Sequence, residues 1–522
     1  MERIVEAGKR LSESLLWDMQ RRFYKDMGID AWRGGFVPSL ASSNALVARA
    51  YVDAILGYVK DSCSPSGTDE PVYVVELGSG TGRLAFLILR ALDRLRKIGI
   101  VPKDFRLKYV MTDMAEPLVQ FWRSHAPLRP FVEAGCLDFA RWAHEEGPRI
   151  ELRESGEVLD EKKAVNGIVV IANYVFDSMK ADAFHVKDGA LYESRVSVIQ
   201  SDSDSEGSAG NNLSALSCKF ADHPVPGDYY EDIELNHLLG AYKRILRDGS
   251  VLLPVGAVKC LQSLLSISDG RMLLLSADKG EAHPSAFTEV WDWMYTIHGG
   301  CFSFMANLHA IGLFVERRGG MALHSPDARD AFRFSAFVLP GDNGCHVPQT
   351  LAALDRPLNS FAFCDLLALI EPAVENPPNL DGAMAVVKLS EYDPYVFGNF
   401  EKAIDRGIDE IGETERLALL RLLRLVEAND YHLDDYLDLS FALGRLYYKL
   451  DLAAEAVRLY EASLTRFGDH EATFANIGLC YEILGDDHRA LKYHRHALEI
   501  NPAYELALQR LSMIKRGKRA AQ

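Results

Sequence analysis

The chain has 522 residues, room for about three or four domains, with 48% hydrophobic and 25% charged residues, the balance of a soluble globular protein. Its net charge of −17 speaks against a general nucleic-acid binder, which needs a basic footprint. The eight cysteines (Cys63, Cys136, Cys218, Cys260, Cys301, Cys345, Cys364 and Cys480) form no CxxC pair and read as reduced core thiols of a cytoplasmic protein. The first element, in MERIVEAGKRLSESLLWDMQRRF, lacks the basic and apolar regions of a signal peptide. Ile4, Leu11, Leu15, Leu16 and Met19 near helical spacing predict an amphipathic helix, the start of a helical segment over residues 1–66. No apolar run approaches the roughly 18 residues of a membrane span, so no membrane partner is expected.

The next domain is expected over residues 67–340, and from about 67 to 200 its pattern alternates. Strands are predicted at VYVVEL (72–77), LKYVMTD (107–113), IVVIAN (168–173) and DAFHVKDG (182–189), with a helix at RLAFLILRALDRLRKIG (83–99). That alternation predicts an α/β domain with a mostly parallel sheet covered by helices. The polar, acidic stretch 201–212 reads as a disordered loop. A helix (233–246) and strands (270–277, 332–340) follow, residues 341–400 read as a connecting region, and 375–382 as a loop within it.

Residues 401–522 are helical and repetitive. On a period of 34 residues, Gly444 matches Gly478, Tyr447 matches Tyr481, Ala456 matches Ala490, and Tyr460 falls where His494 does. This resembles the tetratricopeptide repeat, in which small and large residues let antiparallel helix pairs pack and stack. Two units need caps, for which 415–430 and 503–517 are the candidates.

The chemistry concentrates in YVVELGSGTG (73–82). Gly78, Gly80 and Gly82 follow a strand at alternate positions, which permits a tight turn and close approach of a ligand to backbone. The spacing is GxGxG rather than the dinucleotide GxGxxG, and no GK[ST] follows, which excludes a phosphate-cradling loop. Glu76 before the glycines favours a cationic cofactor over a pyrophosphate. One βαβ step on, Asp113 closes the next strand, where a carboxylate can accept from both ribose hydroxyls.

ELGSGTG resembles the first motif of class I S-adenosylmethionine-dependent methyltransferases. The resemblance implies a Rossmann-like, seven-stranded sheet with the cofactor S-adenosyl-L-methionine across the carboxyl ends of its first strands. It further implies that Glu76 orients the methionine part, that Asp138 receives the adenine amino group, and that Leu137 packs on the ring. IVVIANYVFDSMKADAF resembles the NEFFDA-x-P segment of MidA-type methyltransferases, a family that includes a mitochondrial complex I assembly factor. That likeness covers roughly residues 30–340. It implies that Asn173, Tyr174 and Asp177 face the acceptor. Tyr174 stands where the family has a glutamate, Lys180 where it has a proline, and Asp278-Lys279-Gly280 where it has DYG. Cys301, Met305 and Asn307 replace an Asp, a His and an Asp. Loss of those acids puts an arginine substrate in doubt. His185, His298 and His309 are further candidate bases.

Three functions stay open: a protein methyltransferase whose repeats recruit the partner, a small-molecule methyltransferase whose repeats form a homodimer, and a scaffold that keeps only the cofactor fold. No metal site is expected.

Overall fold

The computed structural model describes all residues except 1, 34, 38–39, 63–69, 102–104, 202–212, 214–215, 226, 291–294, 299, 327–330, 342–345, 361–362, 434–436 and 521–522. The polar stretch 202–212 and the cysteines Cys63 and Cys345 therefore lie outside the described residues. The other six cysteines are free thiols. The chain divides into two compact units, Met1–Cys364 and Asp365–Gln522.

The first unit is built on a mixed sheet whose main path has seven strands: β1 Val72–Leu77, β2 Leu107–Asp113, β3 Leu137–Arg141, β4 Ile168–Asn173, β5 Arg271–Glu281, β6 Met321–His324 and β7 Phe332–Pro340. Their spatial order is β6-β7-β5-β4-β1-β2-β3, and the two-residue strand Ala306–Asn307 joins the edge of β5 as an eighth member. Strands β3, β2, β1, β4 and β5 run parallel, whereas β7 is antiparallel to both β5 and β6. VYVVEL and IVVIAN are unbroken apolar runs apart from Glu76 and Asn173, as central strands covered on both faces must be. The chain winds from β1 to β3 on one side, then returns to lay β4 on the other side of β1. This reversal opens a crevice at the carboxyl ends of β1 and β4.

Helix α1 (Leu15–Met27) starts where Ser14 accepts from the Leu16 backbone N–H. Residues Glu2–Lys9 before it form a strand, not the expected helix, and pair antiparallel with Ala190–Ser201. Gly8, at φ 57°, suits a bend better than a helix interior. The segment Asp182–Lys187 also departs from expectation. It lies not in the main sheet but in a second, antiparallel one, between Ala190–Ser201 and Gly249–Leu253.

Helices α2 (Ala45–Ser62) and α3 (Arg83–Lys97) pack together within the first unit. Two helices follow β7, and by length and composition alone the stretch that holds them is apolar enough to pass for a membrane span, a test that core helices also pass. The two are α4 (Pro348–Asn359) and the helix Phe363–Glu375. Helix α4 is docked on α2. The Asp61 carboxylate accepts from the backbone N–H of Gln349 and Thr350 at 3.2 and 2.7 Å. Gly57 leaves room for the Gln349 carbonyl, which would lie 2.6 Å from a Cβ at that position.

The second unit is helical. The repeat pairs are Leu439–Lys449 with Ala453–Phe467, and Glu471–Ile483 with Asp487–Ile500, flanked by Glu413–Ala428 and Glu505–Ala520. The matched small and large positions meet as complementary surfaces. The Tyr460 ring packs on Gly444 and the buried His494 ring on Gly478. A Cβ at Gly478 would lie 2.5 Å from the His494 ring, and the ring is boxed in by Glu482 at 2.7 Å. Gly478→Ala is therefore expected to destabilise the second unit by about 1–3 kcal/mol through overpacking, read as an earlier urea transition. Unchanged stability would contradict this packing.

Candidate functional site

The crevice between β1 and β4 is an open cleft. Its floor is the turn after β1. Gly78, Gly80 and Gly82 all take positive φ (57°, 51° and 81°), a region closed to most side chains. Gly80 has a second constraint, because the Trp32 indole lies on it so closely that a Cβ would meet the ring at 2.9 Å. Hydrogen bonds hold the turn. Thr112 Oγ1 donates to the Glu76 carbonyl at 2.8 Å, Ser79 N to the Thr112 carbonyl at 3.0 Å, and Trp122 Nε1 to the Gly80 carbonyl at 2.9 Å.

Two carboxyls stand at the strand ends. Glu76 is 4% exposed, and burial pushes its carboxyl up to about 8. Its Oε2 has no hydrogen-bond partner among the described residues. Asp113 is 7% exposed, and burial pushes it up to about 6, against hydrogen bonds that include the Ala115 N–H at 2.9 Å. A buried carboxylate that lacks a partner favours a cation or a donor brought from outside.

The cleft takes in Glu76, Gly78, Gly80, Asp113, Asn173 and Tyr174, gathered from three strand ends. It leaves out four other expected residues. Gly82 precedes α3 as its N-cap. Leu137 and Asp138 open β3 rather than close it, so the length of that strand separates them from the cleft. Asp138 is used up structurally: Oδ1 accepts from the N–H groups of Phe139 and Glu154, and Oδ2 from that of Ser155. The carboxyl end of β3 delivers Trp142, Ala143, His144 and Glu145 to the cleft instead. Asp177 is buried behind the wall, where it accepts from Ser178 Oγ at 2.8 Å.

The wall after β4 is held from beneath by a residue that the sequence showed only as part of a departure. Asp278, fully buried at the end of β5, accepts through Oδ2 from the backbone N–H groups of Val175, Phe176 and Asp177 at 3.1, 2.8 and 3.4 Å. Burial raises the carboxyls of both Asp278 and Asp177, and the charge of Asp177 raises Asp278 further. The available signal was that DKG keeps the Asp and Gly of the resembled DYG. Just before these amides, Tyr174 sits at φ 52°, a costly conformation for an aromatic residue, with its ring against Phe332 at 5.2 Å. Burial raises the Tyr174 hydroxyl, so it stays protonated.

Asn173 is consumed in positioning. Its Oδ1 accepts from Tyr51 Oη at 2.7 Å and from Ala277 N at 2.9 Å, and its Nδ2 donates to the Ser42 carbonyl at 3.1 Å. The last bond ties the segment before α2 to the strand end. That segment and α1 bring Trp17, Arg21, Tyr24, Trp32 and Ser42 to the cleft. His185 and His309 lie elsewhere, bonded to Asp222 and Tyr242, and His298 is on the short strand Thr296–His298.

The raised Glu76 carboxyl sets a pH dependence. The folded state holds a proton that the unfolded chain releases from about 4.5, so the contribution of Glu76 to the stability of the ligand-free protein falls as pH rises from about 4.5 to about 8. The slope is up to about 1.4 kcal/mol per pH unit. Glu76→Gln removes this component. Urea unfolding at about pH 5 and about pH 8 should show the smaller loss in the variant; equal losses would refute the burial of a titrating Glu76.

The helix pair in the second unit has a counterpart in a known family: the tetratricopeptide repeat model matches residues 472–504. No curated protein matches the chain. Among solved structures, the chain is similar to a COG1565 superfamily protein from Burkholderia thailandensis bound to S-adenosyl-homocysteine, at 14% identity and a TM-score of 0.39, covering 66% of this chain and 95% of that one. An uncharacterized COG1565 superfamily protein from the same organism is similar at 14% identity and a TM-score of 0.39, over 64% and 92% of the two chains.

Proposed function

We propose that the first unit is an S-adenosylmethionine-dependent methyltransferase and that the repeat unit recruits a protein whose side chain is the acceptor. The observation that carries the reading is the buried Glu76 carboxyl, with Oε2 unpartnered, beside a turn of three glycines at positive φ. A sulfonium amino acid carries an ammonium that would satisfy that oxygen, and the glycines leave backbone open to it. Asp113, at the end of the neighbouring strand, would take the ribose hydroxyls, and Trp142 offers a ring for the adenine. The bound sulfonium supplies an electrophilic methyl group. The protein's own part is to align acceptor and methyl and to exclude water. In this reading Asn173 and Asp177 position the wall without touching the acceptor, and Tyr174 is the residue of the three that faces it.

Titration calorimetry with S-adenosylhomocysteine tests the reading. Wild type should bind, and Glu76→Ala and Asp113→Ala should each weaken binding by about tenfold or more, the loss of a charge-assisted hydrogen bond. No binding by wild type, or unchanged affinity in both variants, overturns it.

A further inference from the structure

The acceptor class can be narrowed by the charges in the cleft and by how its proton acceptors, among the described residues, are engaged. Apart from Glu76 and Asp113, the charged residues of the cleft wall among the described residues are Arg21 from α1, Glu145 after β3 and Lys180 after β4. Both cations lean on the same oxygen. Arg21 Nη2 donates to Glu145 Oε1 at 2.9 Å, and Lys180 Nζ lies 3.5 Å from that atom. One carboxylate thus serves two cations, and all three side chains keep about a third or more of their surface exposed. A second carboxylate entering here would meet two positive charges already held in place. An ammonium or guanidinium placed at this cluster would meet two positive charges against one carboxylate.

The proton acceptors of the cleft wall point the same way. A neutral amine or a hydroxyl needs a base to take its proton. Tyr24 and Tyr174 are held protonated by burial. His144 lines the cleft with a ring that burial keeps neutral, and both ring nitrogens lie near protein groups. Its Nδ1 is 3.5 Å from Glu145 Oε2, and its Nε2 is packed against Gly256, where a Cβ would come within 3.2 Å of it. Glu145 is occupied by its two cations. A carboxylate needs no base. One of its oxygens forms the new bond to the methyl carbon as the carbon–sulfur bond breaks, the electron pair of that bond stays on sulfur, and no proton moves.

Resting on the methyl-transfer reading, we propose that the acceptor is a carboxylate, bound by Arg21 and Lys180 and converted to its methyl ester. The test has three measurements. S-adenosylhomocysteine calorimetry on wild type and on the double variant Arg21→Ala/Lys180→Ala should give equal affinities, because neither residue is assigned to the cofactor. Failure of wild type to bind sinks the methyl-transfer reading itself and is thereby distinguished from failure of this inference. With S-adenosylhomocysteine bound, a hexaglutamate peptide should quench tryptophan fluorescence in wild type, about tenfold more weakly in the double variant, and again strongly in Arg21→Lys/Lys180→Arg. Equal binding in the alanine variant, or tighter binding of hexalysine, overturns the proposal. Finally, tritiated-methyl label transferred to a cell extract should be released by mild alkali as volatile methanol. Alkali-stable label, or no label from a protein that binds S-adenosylhomocysteine, overturns it.

Discussion

A carboxyl in the core of a sheet is costly unless something answers its charge, and Glu76 is in that position at the end of the central strand. Its neighbours cannot move away. Val75 and Leu77 on either side belong to the packed core, and the backbone carbonyl of Glu76 is fixed by Thr112. Nor can the chain simply lift the residue to solvent, because the glycine turn that follows is pinned by Trp122 and covered by Trp32. The site is therefore held ready, and a protonated carboxyl at neutral pH is how the ligand-free state tolerates it.

Three other buried acids in the same unit show that identity of side chain does not set the role. Asp278 through Oδ2 and Asp138 through both oxygens accept from backbone N–H groups, one holding the wall after β4 and the other the turn at 153–155. Asp113 does so in part and still reaches the cleft. Asp278 is the more consequential of the structural pair. By gathering three amides it holds the chain that begins with the strained Tyr174, and a strained residue persists only where its surroundings leave it no alternative.

Much of this was legible in the sequence. Apolar runs marked the central strands, because a strand covered on both faces needs apolar residues throughout. The 34-residue period marked the repeats, because Gly444 and Gly478 are required by the rings of Tyr460 and His494. Glu76, the glycine spacing and Asp113 were legible because a strand end is local. Errors arose where local pattern was weak. Glu2–Lys9 looked helical, yet its conformation comes from pairing with a strand nearly 200 residues away. Asp138 sat in a plausible motif, but strand β3 begins at Leu137 instead of ending there, and a shift of a few residues along a strand carries a side chain from one end of a sheet to the other.

The sequence by itself determined the central strands, the turn after the first of them with its acid, and the paired helices of the carboxyl-terminal unit. All of these follow from contacts between residues close in the chain or repeated at a constant interval. Only the tertiary structure decided which acids face the cleft and which hold the backbone. It alone brought Arg21, Glu145 and Lys180 together from three separate elements, and it placed Trp32 on Gly80. Those outcomes depend on contacts across tens to hundreds of residues, where no periodicity or spacing in the chain carries the information.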